Sequence, residues 1–492
     1  MPPPVLPRLK ATDRVWTYLR EHPSVRQGLA AGWLNDAALA RRIRQEAPEH
    51  LSFEAVAVAL RRAEREGLEI DPSRVRARIL AGGSSLELRN QYSLLRFPDS
   101  EGTLERFLVA RNREIRRPGR TLLHVEEGHP FISVGCPTAE VDAAARSLPT
   151  GVTAERVDGQ SLVLLATGDP AADTPGVIAY LAERLAEHGL TARIMAAARL
   201  EIEIIAPEPE ARMIFASLHD LRRARTRGEL PASASSGEKA SKSARATPVG
   251  AAATSRKAPA DPRSGAEIAR EFVAVHPSIE DCLVYGIVNM TSLARRIADE
   301  ARYDRPDAIE AALRRWRPPP GASASTVESQ ILAVVRQSRL EVRTRVALVT
   351  APPSWELLDR LLEKPPHPGV ERRRLFQVLQ GPASVTVLCD EDLVDPVLRA
   401  FGDRRSVEAS RGLAAVVVHS PEAILTTPGV LAYLSGAIYR AGLNCLEMMS
   451  LHTESTFVVR QADALSAFRV LADLIHPGPG GSLGTGAGAP TG

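Results

Sequence analysis

Apolar residues recur three and four positions apart through the first 66 residues, and this spacing predicts four short helices. The first covers 14–21 and stops before Pro23. Ser24 is placed to cap the next, through residue 33. Asn35 caps a third over 36–46, with Ala38, Leu39 and Ile43 on one face. Ser52 caps a fourth over 53–66, with Val56, Ala59, Leu60 and Ala63 turned inward. From Glu87 the pattern changes to strands alternating with helices. Strands are expected at 87–96, 120–124, 131–134, 161–167, 193–197 and 202–206, and helices at 103–113, 139–148, 175–188 and 210–221. The first six elements read β-α-β-β-α-β, the ferredoxin-like split motif, and the last four continue into a second such unit.

The same series then repeats. His22-Pro23-Ser24 recurs as His276-Pro277-Ser278, at an offset of 254. Ala59-Leu60-Arg61-Arg62 recurs as Ala312-Leu313-Arg314-Arg315, and Thr174-Pro175-Gly176-Val177 as Thr427-Pro428-Gly429-Val430, both at 253. An offset that steady predicts two halves sharing one fold from end to end. Helices are accordingly expected over 266–275, 278–288, 291–301 and 307–316. Strands follow at 340–350, 373–379, 384–389, 406–410, 413–419, 445–451 and 457–460, with helices at 354–363, 392–401, 428–441 and 462–474. The class is α+β, an internal duplication of a small helical module followed by two ferredoxin-like units.

The expected divisions are helical modules at 11–80 and 265–336 and βαββαβ units at 84–160, 161–227, 338–411 and 412–476. Residues 228–264 are rich in Ser, Ala, Pro and Gly without apolar periodicity and read as a linker; 477–492 is a Gly-rich tail.

Composition narrows the function. The 492 residues carry 62 basic and 59 acidic side chains, a net charge of +3, and 44% are hydrophobic. That is the balance of a globular protein, and charge alone argues for no polyanionic partner. All but five of the basic residues are arginine. The tight helical connections resemble helix-turn-helix modules, which would present Arg41, Arg42, Arg61 and Arg62, with Arg295, Arg296, Arg314 and Arg315 in the second copy, to DNA. Against this, residues 13–66 hold nine Arg and eight acids, so a solvated or partner-binding face is the other reading. Cys136, Cys282, Cys389 and Cys445 lack metal-finger or C-x-x-C spacing. No signal peptide or membrane-length apolar run is present, and the expected location is the cytoplasm. No phosphate-loop, zinc-protease or nucleophile-elbow motif occurs, so the chain reads as non-enzymatic, with no metal and no cofactor implied.

One loop recurs with chemistry of its own. Thr427 is placed as an N-cap, Pro428 as the first helical residue, and Gly429 where another group can come close; Thr174 and Gly176 repeat the pattern. The free N–H groups of such a first turn suit a carboxylate. Asn444 at the next strand entry has an amide that can pair with a ligand. Gly429→Trp is expected to block the site and spare the fold.

The stretch 424–471, with Gly429, Asn444, Phe457 to Val459 and Asp463-Ala464, resembles an ACT domain, closest to the tandem ACT pair of aspartokinases without the kinase domain. In the first half Thr191 replaces the Asn and Glu210-Ala211 replaces Asp-Ala. The resemblance implies a regulatory protein that binds an amino acid or related metabolite near Thr427, Gly429, Val430 and Asn444. The ACT-like units would pair within the chain or in a homodimer. The output is either DNA, as a ligand-responsive transcriptional regulator, or a biosynthetic enzyme on which the chain docks as an allosteric subunit.

Overall fold

A computed structural model describes residues 10–47, 51–65, 85–98, 124–127, 131–166, 174–197, 201–226, 263–318, 326–352, 375–380, 384–401 and 407–477, with single residues between 100 and 110. The helices expected at 103–113 and 354–363, the linker before Arg263 and the tail beyond Pro477 lie outside these residues, wholly or nearly so.

The first half begins with α1 (Ala11–Glu21), α2 (Pro23–Ala30), α3 (Asp36–Glu46) and α4 (Phe53–Arg65). Then come β1 (Ser85–Pro98), β2 (His124–Glu127), β3 (Phe131–Pro137), α5 (Val141–Arg146), β4 (Glu155–Ala166), α6 (Val177–Glu187), β5 (Ile194–Ala197), β6 (Glu201–Pro207) and α7 (Glu208–Thr226). The second half repeats the helices as α8 (Gly265–Ala274), α9 (Pro277–Val284), α10 (Met290–Ala301) and α11 (Pro306–Arg315), and adds α12 (Val327–Arg336). It continues with β7 (Arg339–Ala351), β8 (Phe376–Gln380), β9 (Val385–Asp390), α13 (Val394–Phe401), β10 (Glu408–His419), α14 (Val430–Arg440), β11 (Glu447–Leu451), β12 (Glu454–Arg460) and α15 (Ala464–Ile475).

All twelve strands join one antiparallel sheet in the order β2-β3-β1-β4-β6-β5-β11-β12-β10-β7-β9-β8. The end strands β2 and β8 meet, so the sheet curls on itself. Both faces are buried, which is why 413–418 is apolar without alternation. Ala414, Val416 and Val418 pack outward against Leu434 and Leu471 of the covering helices, while Leu413 and Ala415 pack inward with Val346 and Val458.

The sequence signals at 406–410 and 413–419 belong to one strand, β10. Its first part pairs with the end of β7 and its second part with the start of β7, with a register shift between Ser410 and Leu413. There Gly412 and Arg345 take left-handed backbone, φ +69° and +59°. Gly159 and Gln91 repeat the device in β4 and β1, at +70° and +59°. The divisions expected at 160/161 and 411/412 fall at these bulges. No loop separates the units there: each pair of ferredoxin-like units shares its two long strands.

The two helical modules form a single body. Val15, Leu39 and Leu60 share one core with Ile268, Leu293 and Leu313. At the seam the Asn35 N–H donates to the Ile287 carbonyl at 2.7 Å, and the Asn289 N–H to the Trp33 carbonyl at 2.9 Å. Asn35, Ser52 and Asn289 cap helices as their positions predict. Ser24 does not, because Pro23 already starts α2. Its hydroxyl instead donates to Asp281 Oδ2 across the seam, at 2.7 Å.

Candidate ligand cleft between the two halves

The halves join through β5 and β11, which pair antiparallel with Met195 opposite Ser450 and Ala197 opposite Met448. Helices α6 and α14 pack side by side above them. Those two residue pairs exchange at the repeat offset of 253, and Met449 faces its own counterpart Ala196, so the join is a pseudo-two-fold axis. Beside it lies a cavity of about 30 Å³. The first half contributes Leu185, Thr191 and Ala192 to its wall, and the second half Thr427, Gly429 and Val430. Ser450 and His452 complete it. The volume is room for water and nothing larger.

The turn before α14 differs from its expected form. The helix begins at Val430, preceded by Gly429 at φ +93°, and no side chain caps it. Thr427 is buried, and its hydroxyl donates back to the Ala423 carbonyl at 2.7 Å. Thr427 is therefore not the N-cap and Pro428 is not the first helical residue, since left-handed backbone at Gly429 interrupts the helix between them. The first-turn amides of Val430 and Leu431 are left without a side-chain cap where those residues line the cavity.

Gly429 is approached by protein. A Cβ placed there would stand 2.9 Å from Ile331 Cδ1 of α12 and 3.6 Å from Ala186 Cβ. Gly429→Trp would displace α12 as well as strain the turn, so it does not spare the fold. Gly176, at φ +91°, repeats the turn before α6, and Thr174 is likewise buried.

Asn444 is absent from the wall of this cavity; Thr191, its repeat counterpart, lines it. The Thr427–Gly429 loop is thus paired with the strand entry of the opposite half. Of the four residues grouped by sequence, Thr427, Gly429 and Val430 line this cavity and Asn444 does not. The Thr191 amide and hydroxyl both donate to Glu210 Oε2, at 3.1 and 3.2 Å.

His452 and Ser450 enter the wall without having been singled out for it, because the β11–β12 hairpin that brings His452 there has no mark in the loop motif. His452 sits at φ +51° under the Arg96 guanidinium. Burial, and then that positive charge, hold its imidazole below the usual histidine range.

Of the eight arginines proposed for DNA, Arg41, Arg61, Arg62, Arg295, Arg314 and Arg315 are exposed and Arg42 and Arg296 are half-buried. Arg42 is committed inside the helical body. It donates to the Tyr18 hydroxyl at 2.8 Å, pairs with Glu46 at 2.8 Å and stacks 4.1 Å over the Tyr285 ring of the other module. Arg296 pairs with Glu300 and Arg314 with Glu310 along their own helices. Among the described residues no group of three or more His, Cys, Asp or Glu stands together as a metal site. No helix among them is long and apolar enough to cross a membrane.

No protein-family model and no curated protein matches the chain. Among solved structures, the aspartate kinase from Synechocystis aligns over 81% of this chain and 56% of its own, at 11% identity and a TM-score of 0.27. The chain thus spans little more than half of that enzyme. The regulatory subunit of aspartate kinase from Thermus thermophilus aligns over 29% of this chain and 98% of its own, at 17% identity and a TM-score of 0.25. The corresponding subunit from Thermus flavus aligns over 28% and 96%, at 19% identity and a TM-score of 0.24. Superpositions this loose add nothing to the geometry described above.

Proposed function

We propose that the chain is a non-catalytic regulatory protein whose paired ACT-like units bind an amino acid or related carboxylate in the cleft between the halves. One observation carries this reading. The uncapped first turn of α14 and the Thr191 strand entry, from opposite halves, line the same cavity. A carboxylate on the α14 amides would meet the positive end of the helix, and the Thr427 hydroxyl oxygen, whose proton goes to Ala423, can still accept from another polar group. By the repeat, Thr174, Gly176 and Asn444 form a second such place. At about 30 Å³ the cleft is too small for an amino acid, so the ligand selects a state in which the halves stand further apart. The helical body rests on both halves and feels that change.

A screen of the full chain against amino acids at millimolar concentration tests this. A ligand at 100 times its Kd raises stability by about 2.7 kcal/mol. Ala192→Val, which adds two methyl groups to the cleft wall, is expected to remove the response, each shift being read against that protein's own ligand-free melting temperature. A response that survives it places the ligand elsewhere, and no response to any candidate overturns the reading.

For the output, the two-fold relation of α4 and α11 and their exposed arginines favour two DNA half-sites. The acids interleaved with those arginines favour docking on a biosynthetic enzyme. A steep loss of affinity with salt marks the first, and a stoichiometric protein partner the second.

A further inference from the structure

Where the helical body meets α14, two arginines stand near one another, Arg26 buried and Arg440 with its side chain 15% exposed. Arg26 of α2 is only 7% exposed, and its guanidinium lies 5.8 Å from the centre of the Tyr433 ring. Among the described residues its side chain makes no hydrogen bond and no ion pair. Arg440 folds back along α14, so close over Gly436 that a Cβ there would stand 2.7 Å from Nη1. That Nη1 is buried with no hydrogen-bond partner, and the nearest carboxylate, Glu183 of α6, is 3.9 Å away. The Tyr433 hydroxyl is already spent on the Arg20 carbonyl, at 2.6 Å. Burial, and then the charge of Arg26, bring Arg440 down to about 9.

The arrangement is not a by-product of the repeat. At the mirror-related junction Glu280 and Glu187 stand in place of Arg26 and Arg440, and Glu187 is paired with Arg184 at 2.5 Å. Gly436 stands where the first half has Glu183, which leaves the space that the Arg440 guanidinium occupies. Arg26 feels the carboxylates of Glu183 and, further off, Glu328, yet neither guanidinium makes a close ion pair, and donors on both are unused. Guanidinium forks match the oxygens of carboxylates and phosphates, and a buried positive charge is retained at a cost unless an anion meets it.

We propose that this junction binds a small oxyanion, a phosphate or carboxylate group, between Arg26 and Arg440. The anion ties the helical body to α14 and α6. The site is separate from the cleft and does not depend on its ligand.

The test is thermal unfolding of the full chain with phosphate or malonate, against chloride at matched ionic strength. Wild type should show a saturable rise with at least one of the two oxyanions, and which one responds identifies the headgroup. Arg440→Met should remove the rise. Glu183→Gln deletes the competing carboxylate and should lower the half-saturating concentration roughly tenfold, a gain that no loss of folding can mimic. A rise reproduced by chloride, or one equal in wild type, Arg440→Met and Glu183→Gln, overturns the proposal.

Discussion

His22 and His276 hold the same place in the two repeats and live in different surroundings. His22 Nδ1 donates to Glu328 Oε1 at 2.5 Å. His276 is buried, stacks on Phe272 with ring centres 3.9 Å apart, and donates from Nδ1 to the Phe272 carbonyl at 2.6 Å. Burial brings its pKa down to about 4, so it stays neutral in the fold while an unfolded chain takes up a proton near pH 6.5. The unfolded state then binds more protons between those values, and stability falls as pH falls through that window. From pH 7 to pH 5 wild type should lose about 2 kcal/mol that His276→Phe keeps, measured by urea unfolding at both pH values. Asp281, raised to about 6 by burial, works in the opposite direction and is common to both proteins, so the difference isolates the histidine. At this scale the sequence is legible where partners are local. Asn35 and Asn289 cap the helices they precede, whereas Ser24 and Thr427 look like caps and are used otherwise. What decides the latter two is Pro23 on one side and the left-handed Gly429 on the other.

Among the elements, the long strands carry the least visible information. Arg411-Gly412 reads as a turn between two strands, and in the fold it is a bulge within one. The positive φ of Gly412 moves the register so that one strand serves two ferredoxin-like units. Nothing stands within 4 Å of a Cβ placed there, so the constraint is backbone conformation and not space. Gly412→Val should therefore cost about 1–3 kcal/mol through the dihedral alone, read as a lower urea midpoint with an unchanged m-value. A cost near zero would mean that the bulge relaxes freely. Helix α12 carries local signals of its own: Thr326 accepts the Ser329 N–H at 3.1 Å, and Ile331, Val334 and Val335 are buried. Its importance lies in Ile331 reaching Gly429, a contact across almost a hundred residues that no local pattern announces.

Over the whole molecule, the steady repeat offset disclosed the two-fold relation and concealed the interlacing. The first helical module rests on α14 of the second half, through Tyr433 and the Arg20 carbonyl. The second module meets α6 of the first half, where Pro277 lies against Gly189. Neither half is complete alone: each would expose the edge strand β5 or β11 and one side of a shared helical core. Residues 1–227 and 263–492 produced as two chains should therefore purify as a one-to-one complex. Its melting temperature should rise with concentration, and that of the intact chain should not. Fragments that stay apart and fold separately would show that the seam is weaker than its buried core implies.

Two identical subunits must carry any substitution twice, once in each of their equivalent sites. A fused pair is released from that rule. Thr191 stands where the other half has Asn444, and Glu183 where it has Gly436, so equivalent places about a shared axis differ in chemistry. If the clefts bind ligand as proposed, one polypeptide would carry two sites of different selectivity, one of them a reference against which the other is read.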